Sequence, residues 1–187
     1  EAADLVPPMV SSILNRALRN VSDFRYRAGV DLRLQWHLPA RALRCEALPE
    51  LVQSALATWR LRPGRLCLGI GDLAQILDEV VLQQALVRLK AVGVRLALDD
   101  PKVPLATLFS LRALPFQEIR LALVPVGSIA EGSPAERVLE STVSLARSLR
   151  LDVCALQPAD DITLERLKAA GCHYVQGEIK GPALRAQ

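Results

Sequence analysis

Few side chains in this sequence are of a type and placement suited to chemistry, and they fall within or at the ends of short apolar segments. Asp99 and Asp100 are adjacent carboxylates that close the segment VRLAL. Arg120 and Ala122 lie in EIRLAL, His37 in LRLQWHL, Gly69 in RLCLGI, Leu156 in LDVCAL and Gln176 in HYVQ. Two aspartates and one imidazole are donors of the kind that hold a divalent metal. Metal-assisted hydrolysis, however, needs several oxygen ligands and a group that activates water, and this set falls short of that. A lone histidine at a strand end reads as a hydrogen-bonded side chain rather than a ligand. Asp99 and Arg120 end neighbouring segments, so a structural salt bridge between them is the expected arrangement. The four cysteines, Cys45, Cys67, Cys154 and Cys172, show no CxxC spacing and no cluster with His37 or His173. They read as reduced thiols packed in a core, with Cys67 and Cys154 pointing inward. Neither GxGxxG nor GxxxxGK[ST] occurs, and no cofactor or resident metal is expected.

The elements that carry these residues alternate. Strand candidates span 32–38, 65–70, 94–98, 118–123, 151–156 and 173–176, short and aliphatic as strands covered on both faces are. Amphipathic helices lie between them. The first enters through Pro7 and Pro8 and turns Val10, Ile13, Leu14, Ala17, Leu18, Val21 and Phe24 inward. The second starts at Pro49 and buries residues up to Trp59. The third covers 78–92, with Val81, Leu82, Ala85, Leu86 and Leu89 inward and Gly93 as its stop. A short fourth lies near 104–114, a fifth covers 134–149 using Val138, Leu139, Val143, Leu145 and Ala146, and a sixth covers 161–170 before Gly171. This order predicts an α/β fold of about six parallel strands with right-handed helical crossovers. Six strands are two short of a closed barrel, which usually takes about 250 residues. The expectation is therefore an incomplete or modified TIM-like barrel, or else an open sheet.

Composition bounds the function classes. The 187 residues, 51% hydrophobic and 23% charged, suit one globular domain with a real core. A net charge of +3 with no block of like charge argues against a nucleic-acid polymer as partner. No apolar run reaches the length of a membrane span, and acids and prolines stand where the charged region of a signal peptide would be. A cytoplasmic protein is expected. The chain opens at Glu1 rather than Met, compatible with a piece of a longer protein.

Five fragments bring a family into view. VRLALDDPKVPLATLFSLRALPFQEIRLALVPV is similar to a strand ending D-D-F-G-T-G, a helix, and a strand reading L-P-V-D-x-I-K-I-D. LRLQWHLPARA resembles a strand ending V-N-L-S, and RLCLGIGD resembles L-E-L-E-I-T-E. LDVCALQPA stands where A-E-G-V-E would, and GCHYVQGEIKGP is similar to G-x-x-x-Q-G-Y-L-F-S-K-P. In this order they resemble the EAL domain, a TIM-like barrel that hydrolyses cyclic di-GMP with divalent metals inside larger bacterial signalling proteins. The strand bearing the E-A-L signature has no counterpart here.

The resemblance assigns a site position by position. His37 stands for an Asn, Gly69 for a ligand Glu, Arg120 for a Lys, Ala122 for an Asp and Leu156 for a Glu, while Asp99, Asp100 and Gln176 are retained. Guanidinium stays protonated and cannot replace lysine as a proton-transfer group. On this reading the chain is a degenerate, N-terminally shortened and non-catalytic member, with its site positions vestigial. Pro101-Lys102-Val103-Pro104 replaces the flexible F-G-T-G and is expected to stiffen a loop that in the family couples dimerisation to catalysis. The role implied is a protein-interaction or regulatory module. A partner or a second copy would cover exposed strand edges and an apolar inner face. A cyclic di-GMP receptor without hydrolysis is the alternative, and a residual phosphodiesterase ranks below both.

Overall fold

Six segments with apolar residues at alternate positions form one parallel sheet in a computed structural model that describes residues 6–99, 109–122, 132–158 and 160–177. The strands are β1 (Leu34–Leu38), β2 (Leu66–Ile70), β3 (Arg95–Asp99), β4 (Glu118–Ala122), β5 (Asp152–Leu156) and β6 (Tyr174–Gln176). Each pairs in parallel with the next, in the order β1-β2-β3-β4-β5-β6. The helices are α1 (Val6–Ala28), α2 (Leu48–Thr58), α3 (Leu73–Asp78), α4 (Val80–Val92), α5 (Pro134–Ser148) and α6 (Asp161–Ala170). None of the described helices is long and apolar enough to cross a membrane.

Alternate strand residues point to opposite faces. One face carries Leu66, Leu68, Ile70, Leu96, Leu98, Ile119, Val153 and Ala155, all at most 1% exposed. These join Leu14 and Leu18 of α1, Val52 and Leu56 of α2, Leu86 and Leu89 of α4, Val143 of α5 and Leu167 of α6 in one core. Local signals place the helix ends. Ser133 caps α5 by accepting the amide of Glu136 at 3.1 Å, and Asp160 caps α6 by accepting that of Thr163 at 2.7 Å. Gly93 and Gly171 end α4 and α6 in the left-handed region.

The opposite, concave face is not the apolar surface expected. Register pairs His37 with Gly69, Gly69 with Ala97, Ala97 with Glu118 and Glu118 with Asp152. One step further, Asp99 pairs with Arg120, Arg120 with Cys154 and Cys154 with Tyr174. Carboxylates and guanidiniums therefore line the inside of the curl. Arg33, just before β1, lies over the ring of Tyr174 in β6, 4.4 Å from its centroid, so first and last strands approach each other across the concave side. The result is a curled half-barrel.

Several expectations about helices need correction. The helix expected over 78–92 is present as α4 from Val80, but it is preceded by a separate short helix, α3, that was not expected, the two divided at Glu79, whose backbone is extended. Arg44 and Gln75 bind the Glu79 carboxylate at 2.7 and 3.1 Å, and the side-chain amide of Gln83 donates to the carbonyls of Ile76 and Leu77 that end α3. Val81, Val138, Ile13 and Phe24 are exposed by 56%, 62%, 46% and 38% rather than turned inward. Of the short fourth helix expected near 104–114, the described part is a 3-10 turn at Phe109–Ala113; residues 104–108, the loop 101–104 and most of loop 127–134 lie outside the described residues.

Candidate functional site

Parallel strands deliver their functional groups at their C-terminal ends, and here the centre of that rim is Asp99. Arg120 donates from Nη1 to Oδ1 of Asp99 at 2.9 Å, while Oδ2 meets Nδ1 of His37. Arg120 also donates from Nη2 to Oε1 of Gln176. A chain of four side chains thus runs from β1 through β3 and β4 to β6. Asp99 and Arg120 are 8% and 6% exposed, whereas His37 and Gln176 face solvent. The expected Asp99–Arg120 salt bridge is present and buried. Burial opposes the charge of Arg120, but the Asp99 carboxylate, with a smaller contribution from Cys154, offsets this and holds its pKa above the ordinary value.

Gly69 completes the arrangement by having no side chain. A β-carbon there would stand 2.6 Å from Oδ1 and 2.7 Å from Cγ of Asp99, and closer still to Oδ2. The Asp99 carboxylate occupies the space that a residue with a side chain would claim. The neighbouring Gly71 is different: its nearest neighbour would be Cε1 of His37 at 3.8 Å, an ordinary contact.

Among the described residues, this donor set does not fit a divalent metal. Both Asp99 oxygens are committed, one to a guanidinium whose charge repels a cation. Gly69, Ala122 and Leu156 offer no side-chain donor. Among the described residues no group of three or more His, Cys, Asp or Glu side chains could hold a metal ion. Asp100 lies outside the described residues.

Deeper in the concavity lies a charged layer not singled out in the sequence. Glu118 is 2% exposed and faces Arg33, Arg95 and Arg120 at 3.6, 3.9 and 4.0 Å. Its Oε2 has no hydrogen-bond partner among the described residues. Arg95 instead donates to Asp152 at 2.6 Å. Burial pushes the Glu118 carboxyl above its usual range despite the three guanidiniums. The period-2 alternation of Arg95, Ala97 and Asp99, or of Glu118, Arg120 and Ala122, was the signal available for this face. Cys67 and Cys154 point inward as expected; burial pushes the Cys67 thiol up to about 12, helped by Glu118, and raises Cys154 too. Cys172 is pushed to about 11, mainly by burial.

The shift of Glu118 sets a pH dependence. A carboxyl raised on folding contributes stability below its unfolded pKa, roughly 4.3, and that contribution is lost as pH rises through the folded value. Glu118→Gln removes this loss. Urea denaturation from acid to neutral pH is expected to show the variant gaining on the wild type as pH rises above the ordinary carboxylate range. Parallel stability curves would contradict the assignment.

The rim, the parallel half-barrel and the retained Asp99 and Gln176 meet in one further observation: residues 1–183 match the family profile of the EAL domain. The chain belongs to the EAL domain family. It is 33% identical over 150 residues, 80% of its length, to an uncharacterized signaling protein of Caulobacter vibrioides, of which it spans 18%. It is 24% identical over 187 residues to the bifunctional diguanylate cyclase/cyclic di-GMP phosphodiesterase MucR of Pseudomonas aeruginosa, of which it spans 27%. This EAL domain thus covers less than a third of either relative. Among solved structures it superposes on a PaMucR phosphodiesterase in complex with c-di-GMP with a TM-score of 0.84 at 24% identity, covering 100% of this chain and 81% of that one. The EAL domain of Xanthomonas citri FimX, also solved with c-diGMP, gives 0.83 at 20% identity, covering 98% and 74%. At such identities the structural likeness speaks for the fold.

Proposed function

We propose that this EAL domain does not hydrolyse cyclic di-GMP and serves as a regulatory, protein-binding module in cyclic di-GMP signalling. The observation that carries the proposal is the commitment of Asp99. Its two oxygens are taken by Arg120 and His37 above a glycine, where hydrolysis would need free carboxylates around a metal. A positive charge at Arg120 stands where metal chemistry would need an adaptable amine. Among the described residues, β1 and β6 each have one edge without a strand neighbour, which offers a protein partner or a second copy backbone groups to pair with.

A second reading, a receptor that binds cyclic di-GMP without cleaving it, is favoured by the complexes of MucR and FimX that share this fold. Arg120 is poorly placed to serve a ligand, being buried and already donating to Asp99 and Gln176. Calorimetric titration of cyclic di-GMP, with and without Mg²⁺, separates the two. Absence of heat supports the protein-binding module. Saturable heat that is independent of Mg²⁺ and weakened by Gln176→Ala supports the receptor and overturns the first reading.

A further inference from the structure

Away from the barrel rim, α1 and the end of α2 enclose a surface hollow of about 390 Å³ lined by Ser22, Arg25, Tyr26, Trp59 and Arg60. That volume lies within the range of small-ligand pockets, roughly 300–1,000 Å³. Its floor is fixed. The Trp59 indole N–H donates to Oδ1 of Asn15 at 3.0 Å, and the Ser22 hydroxyl donates to the Trp59 carbonyl at 3.3 Å. The indole is half-buried and locked to α1, whereas Tyr26 is 78% exposed beside it. Helix α2 closes at Trp59, and the chain turns through Arg60 in the left-handed region. Among the described residues, neither Arg25 nor Arg60 forms an ion pair with a carboxylate, although Arg19, Arg44, Arg65 and Arg88 all do.

We propose that this hollow is a binding site for a nucleoside monophosphate or a molecule of the same chemistry, a planar ring carrying a phosphate. Two guanidiniums without a carboxylate partner among the described residues match a phosphate dianion in charge, and guanidinium is the side chain whose planar fork suits phosphate oxygens. The indole and phenol rings supply stacking surfaces for a base. An acidic side chain of a protein would use the guanidiniums and leave the rings idle. A nucleic-acid polymer would need a continuous basic track, which a chain of net charge +3 does not supply. The site is independent of the rim at Asp99 and does not depend on whether that rim binds or cleaves anything.

The chain has two tryptophans, so Trp36→Phe leaves Trp59 as the sole indole reporter. Fluorescence titration of this variant with guanosine and adenosine monophosphates is expected to give saturable quenching. Arg25→Ala and Arg60→Ala, both at the surface, should each weaken binding about tenfold, equivalent to about 1.4 kcal/mol. Inorganic phosphate should compete weakly and guanosine should quench weakly. Following the Trp59 indole N–H by NMR in the otherwise native chain gives the same readout should Trp36→Phe disturb folding. Absence of any change up to about 10 mM nucleotide, far weaker than the 1 mM that corresponds to about −4.1 kcal/mol, would overturn the proposal. So would equal binding by the Arg25→Ala/Arg60→Ala variant. Inorganic phosphate binding as tightly as the nucleotides would also overturn it, leaving an anion site without base recognition.

Discussion

Gly69→Glu, which places a carboxylate where the family's ligand Glu would stand, is expected to destabilise the fold and to create no turnover. The new β-carbon would fall 2.7 Å from Cγ of Asp99, and Asp99 has nowhere to go because Arg120 and His37 hold it. Overpacking a fixed site of this kind typically costs about 1–3 kcal/mol. For a chain of this size that lowers the melting temperature by several degrees, at about 2–4 °C per kcal/mol. Gly69→Ala should show most of the loss, since the clash begins at the β-carbon. Gly71→Ala, two residues on and meeting only an ordinary 3.8 Å contact, is the control and should be neutral or slightly stabilising. Thermal melts of the three variants test this directly. A Gly69→Glu variant as stable as wild type would show that Asp99 moves freely and is not locked.

Asp99→Asn is expected to have the larger cost. It keeps the shape of the side chain but leaves the Arg120 guanidinium, 6% exposed, with a neutral partner at Nη1 and only Glu118, 4.0 Å from its Nε, as a counter-charge. Breaking one side of a buried pair typically costs about 3–5 kcal/mol, on the order of 10 °C in melting temperature here. Asp99→Asn/Arg120→Met removes the stranded charge and should recover at least half of that loss, so a double-mutant cycle reads a large coupling. His37→Ala should cost less than about 1 kcal/mol, because His37 is exposed and Asp99 keeps Arg120. Mg²⁺ or Mn²⁺ added to the wild type should leave its melting temperature unchanged. A metal-dependent rise that Asp99→Asn abolishes would mean that Asp99 serves a cation instead of Arg120.

Much of the fold was legible because the strands are short aliphatic runs bounded by helix stops. All six fall within two residues of the expected segments, and Gly93 and Gly171 end their helices as read. What periodicity could not show were tertiary effects. Helix α3 is not marked by periodicity, and only the distant Arg44, together with Gln75 and Gln83, shows why a separate short helix ends before Glu79 and α4 begins after it. Val81 and Val138 fit a helical stripe yet lie outside the contact face, since hydrophobic spacing does not say where the sheet ends. At the site, the Asp99–Arg120 pair followed from adjacent strand ends. The role of His37 as the second partner of Asp99, and of Gly69 as the space the carboxylate fills, required three strands in register. The charged layer around Glu118 carries no such mark in the sequence, because Arg95, Glu118 and Asp152 stand at the starts of β3, β4 and β5, away from the strand ends where a site is sought.

The most direct test incubates the longest native form of the protein with cyclic di-GMP and Mg²⁺ or Mn²⁺ and follows the linear dinucleotide by chromatography. With Asp99 held by Arg120 and His37 over Gly69, no product above the protein-free control is expected at any metal concentration. Metal-dependent product formation by the wild type that disappears in Asp99→Asn would contradict the account, because it would require the carboxylate at Asp99 to leave its arginine and take part in hydrolysis.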